Sequence, residues 1–294
     1  MDFKQIEAFV NVVRFKSFSK AADASFFSQP TISTHIQNLE KELGVKLLDR
    51  KSRTVEPTPQ GNAFYKYAVE MLNARARAVD AISSASTSVS GVLEIQSSSV
   101  PSVSFLPELM AEFKESNEGI QYYLSVSDTQ NVIDNILDRR GEIGFIGEEI
   151  RNPALKSELV FRDKSVLIAP PTYKIGKNIS LADSFRYPFI WRESGSATRA
   201  NFEKAVRTAG LDSSELRLAA LVDDIDAIVR NVEAGLGVSI ISEKIAAGLE
   251  GRVKVAKFSD FDEKRSFYMI HLKNSSLSPA AAAFAEFVNS KGIQ

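Results

Sequence analysis

The chain has 294 residues, 44% of them hydrophobic and 25% charged, too long for one ordinary core and apolar enough to fold throughout into about two or three domains. It has no cysteine and only two histidines, His35 and His271, which excludes disulfides, thiolate metal sites and cysteine nucleophiles and leaves little for a histidine triad or zinc site. The formal net charge of −1 hides an asymmetry: residues 1–77 carry 12 Lys/Arg against 8 Asp/Glu, or +4, so the rest carries −5. Met1-Asp2-Phe3-Lys4 opens no apolar leader and no uncharged run is long enough for a bilayer, so a soluble cytoplasmic protein without a membrane partner is expected.

Phe3, Ile6, Phe9, Val10 and Val13 recur at helical spacing and predict an amphipathic helix ending near Phe15. Ser17-Phe18-Ser19 supplies capping hydroxyls for a short second helix through Ala21 and Ala22. Ser28-Gln29-Pro30 reads as an N-cap followed by a first-turn proline, and Ile32, Ile36, Leu39 and Leu43 stripe a third helix that Gly44 stops. Thr31, Ser33, Thr34, Gln37 and Asn38 lie off that stripe, as in a helix-turn-helix, although a plain helical bundle with a polar face has the same spacing. The next stretch favours the first reading. Two short apolar or β-branched runs, Val45–Leu48 and Thr54–Val55, flank the cations Arg50, Lys51 and Arg53, predicting a β-hairpin wing whose charges follow a phosphate backbone.

The run from Phe9 through Ser19-Lys20-Ala21-Ala22, Ser28-Gln29-Pro30-Thr31-Ile32-Ser33, Leu39-Glu40-Lys41-Glu42-Leu43-Gly44, Leu47-Leu48-Asp49-Arg50 and Pro57-Thr58-Pro59-Gln60-Gly61 closely resembles the DNA-binding domain of LysR-type transcriptional regulators. One departure is Thr34-His35, where many members carry Arg followed by Gln, so the operator preference is expected to differ. The resemblance implies a winged helix-turn-helix over residues 1–58, with its motif at about 18–37, bound to double-stranded promoter DNA. Gln29, Thr31, Ser33 and Thr34, beside Pro30, would reach base edges, while Ser28, Arg50, Lys51, Arg53 and Thr58 would hold phosphates or the minor groove.

Residues 59–88 predict a long linker helix, in which Phe64, Ala68, Met71, Arg75, Ala78 and Ile82 repeat with the 3.5-residue period of a coiled coil. Arg75 in such a seam either sets register or snorkels at its rim. The family pairs subunits through this helix, implying a homodimer or homotetramer and contact with RNA polymerase. The Ser-rich run 83–91 ends the periodicity.

Beyond Gly91, strand and helix patterns alternate: strands at 92–96, 121–126, 143–146, 166–169, 189–191, 218–222, 238–241 and 267–270, with helices at 103–113, 132–137, 201–209, 227–234 and 279–289 between them. This predicts α/β units on mainly parallel sheets. The stretch resembles the LysR effector domain, a two-lobed fold like that of periplasmic binding proteins, with lobe 1 from 89–163 plus 266–294 and lobe 2 from 164–265. The whole is an α+β multidomain chain.

Ligands of open α/β sheets sit at strand carboxyl ends and helix N-termini. Ser98, Ser99 and Ser102 follow the first strand, Thr129 the second, and Ser194, Ser196, Thr198 and Arg199 the strand Phe189-Ile190-Trp191. Each hydroxyl alone reads as an N-cap. Clusters from both lobes with Arg199 beside one suggest a small anionic effector: a sulfur oxyanion, similar to the family branch associated with sulfur or selenium metabolism, a carboxylate, or an amino acid. Asp223-Asp224-Ile225-Asp226 ends another strand where relatives often have Ser-Thr, and its acids suit an ammonium or guanidinium group, which an amino acid would supply. No cofactor, metal or catalytic set is expected: Gly235-Leu236-Gly237 is too short for a nucleotide loop, and no nucleophile elbow is present. The rival readings are a solute-binding sensor without DNA function and an α/β enzyme using the cleft.

Overall fold

The computed structural model describes residues 1–25, 27–49, 55–82, 89–261 and 264–292, with the side chains of 80–82 left aside. Arg50, Lys51 and Arg53 of the wing, and the Ser-rich run 83–88, lie outside the described residues. Two compact units are centred on Met1–Val89 and on Ser90–Leu137 with Gly141–Lys273. No helix of the described residues is long and apolar enough to cross a membrane.

The first unit contains α1 (Phe3–Phe15), α2 (Phe18–Ser25), α3 (Gln29–Leu43), the strand pair β1 (Leu48–Asp49) and β2 (Glu56–Pro57), and α4 (Pro59–Ile82). Asp2 and Gln5 cap α1 reciprocally, and Lys16 ends it at φ 49°. Ser28 caps α3 and Gly44 stops it at φ 69°. The stripe Ile32, Ile36 and Leu39 is fully buried with Phe9 and Leu47. Phe9 also meets α4, with ring centroids 5.4 Å from Phe64 and 6.3 Å from Tyr65. Half of the expected coiled-coil seam is therefore occupied inside the subunit: Phe64, Ala68 and Met71 pack against the helix-turn-helix core. The Arg75 guanidinium lies 5.3 Å from the Phe3 ring centroid of the same chain.

The second unit begins with β3 (Gly91–Ser98), α5 (Ser99–Ser104), α6 (Leu106–Ser116), β4 (Ile120–Ser127), α7 (Thr129–Leu137), β5 (Ile143–Ile146) and β6 (Leu155–Asp163). It continues through β7 (Ser165–Ala169), β8 (Asn178–Ile179), α8 (Leu181–Ser184), β9 (Pro188–Trp191), α9 (Ala197–Thr208), a 3-10 turn (Ser213–Glu215), β10 (Arg217–Leu221), α10 (Ile225–Glu233), β11 (Ser239–Ser242), α11 (Glu243–Ala247) and β12 (Lys254–Phe258). It closes with β13 (Arg265–Leu272) and α12 (Pro279–Ser290). One lobe has the sheet order β4-β3-β5-β13-β6, and the other has β11-β7-β12-β8 beside the pair β9-β10.

The sheets are more mixed than the alternation of elements implied. β3 is parallel to β4 and β5, but β13 is antiparallel to β5 and β6, and β7 is antiparallel to β11 and β12. The reason is topological: β7 leaves the first lobe and β13 returns to it, so neither is bound to its neighbour by a helical crossover that would force parallel pairing. The single helix expected over 103–113 is two helices. Pro107 lacks the N–H that a continuous helix would donate to Val103, and the chain breaks at Phe105 with φ −121° and ψ −26°. The winged helix-turn-helix, long helix and two-lobed α/β domain are the architecture the sequence implied.

Candidate nucleic-acid interface and ligand cleft

The first turn of α3 presents Gln29 and Pro30 to solvent, with Thr31 and Ser33 half-buried and Thr34 exposed. Several of these hydroxyls are engaged by the fold. Ser28 Oγ accepts from Thr31 N at 3.3 Å and pairs with Thr31 Oγ1 at 2.8 Å, and Thr34 Oγ1 donates to Pro30 O at 3.0 Å. The Gln29 side-chain amide makes no hydrogen bond to the described residues and is free to reach outward. Gln37, Asn38 and Lys41 continue the exposed face one turn on. Their spacing from Thr34 (i+3, i+4, i+7) already placed them there. His35 instead packs edge-on against Phe27, centroids 5.7 Å apart.

Thr58 sits at the root of the wing, and its hydroxyl is engaged there. Oγ1 donates to Lys46 O at 2.7 Å and accepts from Gly61 N at 3.0 Å, capping α4. The same root is fixed by Glu40, which is 4% exposed and accepts from Leu47 N (2.9 Å), Leu48 N (3.2 Å) and Lys46 Nζ (2.6 Å). Burial opposes its charge, but the Lys46 ammonium and the two backbone N–H groups outweigh it and hold the carboxyl below its ordinary range.

In the second unit, strand ends converge on a cavity of about 20 Å³, room for roughly one water or one atom group of a ligand. Ser98, Ser99, Thr129, Ser196 and Thr198 line it. Ser102 faces a neighbouring hollow and donates to Ser99 O at 2.8 Å. Ser194 is exposed and does not line the cavity. Arg199 does not line it either: its Nε donates to Glu203 at 2.8 Å, Nη1 donates to Arg192 O at 3.0 Å, and the guanidinium covers the Trp191 ring at 5.6 Å.

The cations at the cavity are two others, Arg192 and Arg265, 5% and 3% exposed. Arg192 binds Glu193 through Nε and Nη2, both at 2.8 Å, and reaches across to Ser99 Oγ at 3.2 Å. Arg265 lies against Phe267, 5.0 Å from its centroid, and its Nε and Nη1 have no hydrogen-bond partner. Burial pushes its pKa down to about 10; Asp163 opposes and Arg192 adds to the shift, so it remains a cation at neutral pH. Gly147 makes room for it, since a Cβ there would stand 3.2 Å from Nη2. A signal for Arg265 existed: Arg265, Phe267 and Met269 alternate onto one buried strand face.

Adjoining the cavity is a hollow of about 570 Å³ lined by Asp128, Glu193, Asp223, Asp224 and Asp226. Asp224 caps α10 through Ala227 N at 2.7 Å, and Asp128 caps α7 through Asn131 N at 2.9 Å. Ser196, a neutral cap, begins α9. Among the described residues no group of three His, Cys, Asp or Glu could hold a metal ion.

A helix-turn-helix with an exposed polar first turn, joined to a two-lobed domain with a charged cleft, defines a ligand-responsive DNA-binding regulator. Residues 3–62 match the model of bacterial regulatory helix-turn-helix proteins of the lysR family, and residues 86–292 match the LysR substrate binding domain. The chain belongs to the LysR family of transcriptional regulators, and it is a regulator rather than an enzyme. It is 29% identical over 298 residues to the RuBisCO operon transcriptional regulator of Allochromatium vinosum, covering 100% of this chain and 97% of that one. An uncharacterised HTH-type regulator of Methanocaldococcus jannaschii is 28% identical, with 96% of each chain covered. Full-length CbnR complexed with its target DNA superposes with a TM-score of 0.67 at 26% identity, covering 99% of this chain and 100% of that one.

Proposed function

We propose that the protein recognises an operator through α3 in the major groove and that a small anionic effector, held between the lobes of the second unit, controls this binding. The observation that carries the DNA assignment is Gln29, whose exposed amide at the first turn of α3 can pair bidentately with adenine. Pro30, Thr31, Ser33 and Thr34 sit beside it as secondary contacts, and the N-terminus of α3 at Ser28 faces a phosphate. Arg50, Lys51 and Arg53 supply the wing's phosphate contacts. Thr58 supports the wing from beneath.

Ser98, Ser99, Thr129, Ser196 and Thr198 with the α9 N-terminus favour an anion in the cleft. Carboxylates, amino acids and the sulfur oxyanions of the sulfur or selenium branch all belong to that class. The regulator acts in the cytoplasm as a homodimer or homotetramer and addresses RNA polymerase at the promoter. The test is a gel shift with operator and scrambled duplexes. Gln29→Ala is expected to lose about 1–3 kcal/mol of discrimination while retaining non-specific binding; unchanged preference would sink the docking.

A further inference from the structure

We infer that Glu193 is a built-in competitor of the effector: its carboxylate occupies the two-pronged edge of the Arg192 guanidinium that a carboxylate-bearing effector takes on binding. This rests on the reading of the cleft as the site of an anionic effector. Arg192 is 5% exposed and lines the cavity. Glu193 Oε2 accepts from its Nε and Glu193 Oε1 from its Nη2, both at 2.8 Å, which is the fork contact an external carboxylate would make. The guanidinium is also held from elsewhere. Nη2 donates to Ser99 Oγ at 3.2 Å, and the Arg192 carbonyl accepts from Arg199 Nη1 at 3.0 Å, so the cation keeps its place when Glu193 leaves.

The two partners are unequal. The Arg192 side chain is 7% exposed and that of Glu193 29%, so the anion is the member that a ligand can reach and replace. Regular structure does not dictate the pair. Successive side chains of a strand point to opposite faces, and these two meet only because β9 ends at Trp191 and the chain turns, with Ser196 N donating to Glu193 O at 3.1 Å. Glu193 borders both the cavity and the adjoining hollow, so rotation of its side chain carries the carboxylate from one toward the other. That hollow already holds Asp128, Asp223 and Asp224, and like charges oppose the move. The resting state is therefore the self-occupied one, and an effector has to displace a tethered carboxylate whose effective concentration is millimolar or higher. Exchanging one carboxylate for another spares Arg192 the cost of standing buried and unpaired.

The test compares the full chain with Glu193→Gln, using acetate and formate as probes against chloride at equal ionic strength, read by melting temperature and calorimetric titration. In chloride, Glu193→Gln is expected to melt below the wild type, because a buried cation has lost its counter-charge. Acetate or formate is expected to restore that melting temperature and to bind Glu193→Gln at least about tenfold more tightly than the wild type, since the tethered competitor is gone. Glu193→Asp, which keeps the charge on a shorter arm, is expected to fall between the two and carries the titration if Glu193→Gln does not fold. Adding Arg192→Met to either variant is expected to abolish the response. A lower melting temperature that neither anion restores is the mark of a purely structural counter-ion, and that result, or equal affinity with and without Glu193, overturns the proposal. The effector-site reading fails on a different result: acetate or formate binds, and Arg192→Met with Thr198→Val leaves its affinity untouched.

Discussion

At the scale of single residues, Glu40 and Arg265 are two buried charges with opposite fates. Glu40 has three donors around it and stabilises the turn from α3 into the wing. Glu40→Gln keeps an acceptor for Leu47 and Leu48 but turns an amide NH₂ toward Lys46, so a loss of about 1–3 kcal/mol is expected in thermal or urea melts. The pH dependence has a definite sign. The folded carboxyl titrates below its reference value of 4.5, so its contribution is fully present above that value and is lost as pH falls through the lower folded value. Melting temperatures of the wild type should decline faster than those of Glu40→Gln as pH falls from about 5 to 3; parallel curves would refute the assignment. Arg265, in contrast, has two buried nitrogens without a hydrogen-bond partner, and burial lowers its pKa against the attraction of Asp163. Arg199 looked like the cleft cation because it follows a strand end. Glu203 four residues on captures it, an i,i+4 pair that the helix itself dictates.

At the scale of elements, α4 and the wing are locked at Gly61. A Cβ on Gly61 would overlap the Leu47 carbonyl, the same oxygen that accepts from Thr58 N at 2.9 Å. Backbone cannot yield as a side-chain tip does, so Gly61→Ala must push α4 off the wing root. A loss of about 1–3 kcal/mol is expected, seen as a lower melting temperature, with weaker binding to every duplex because the wing is displaced. A variant as stable as the wild type would show that the contact relaxes. Elements were legible where spacing and punctuation agree: α3 follows from the Ile32, Ile36, Leu39 stripe, the Ser28 cap and Gly44. They were misread where an apolar rhythm runs across a break, as from α5 to α6 at Pro107, and where strand direction depends on distant partners, as for β7 and β13. Half of the coiled-coil stripe is claimed inside the subunit for a related reason. Phe64, Ala68 and Met71 have the period of a dimer interface, but a period names a buried face without naming what buries it.

At the scale of the whole molecule, the near-zero net charge is a sum of unlike parts, +4 over residues 1–77 and −5 over the rest. The basic part has to bind a polyanion that the acidic body repels, so operator affinity is expected to depend on cations placed locally, Lys41 of α3 and Arg50, Lys51 and Arg53 of the wing, rather than on overall attraction. Each phosphate contact releases counterions and contributes about 0.9 to the slope of log K against log salt. Arg53→Ala is therefore expected to weaken binding to operator and scrambled DNA alike and to lower the salt slope by about one. A slope equal to the wild type's, measured by fluorescence anisotropy from about 50 to 200 mM salt, would show that Arg53 touches no phosphate.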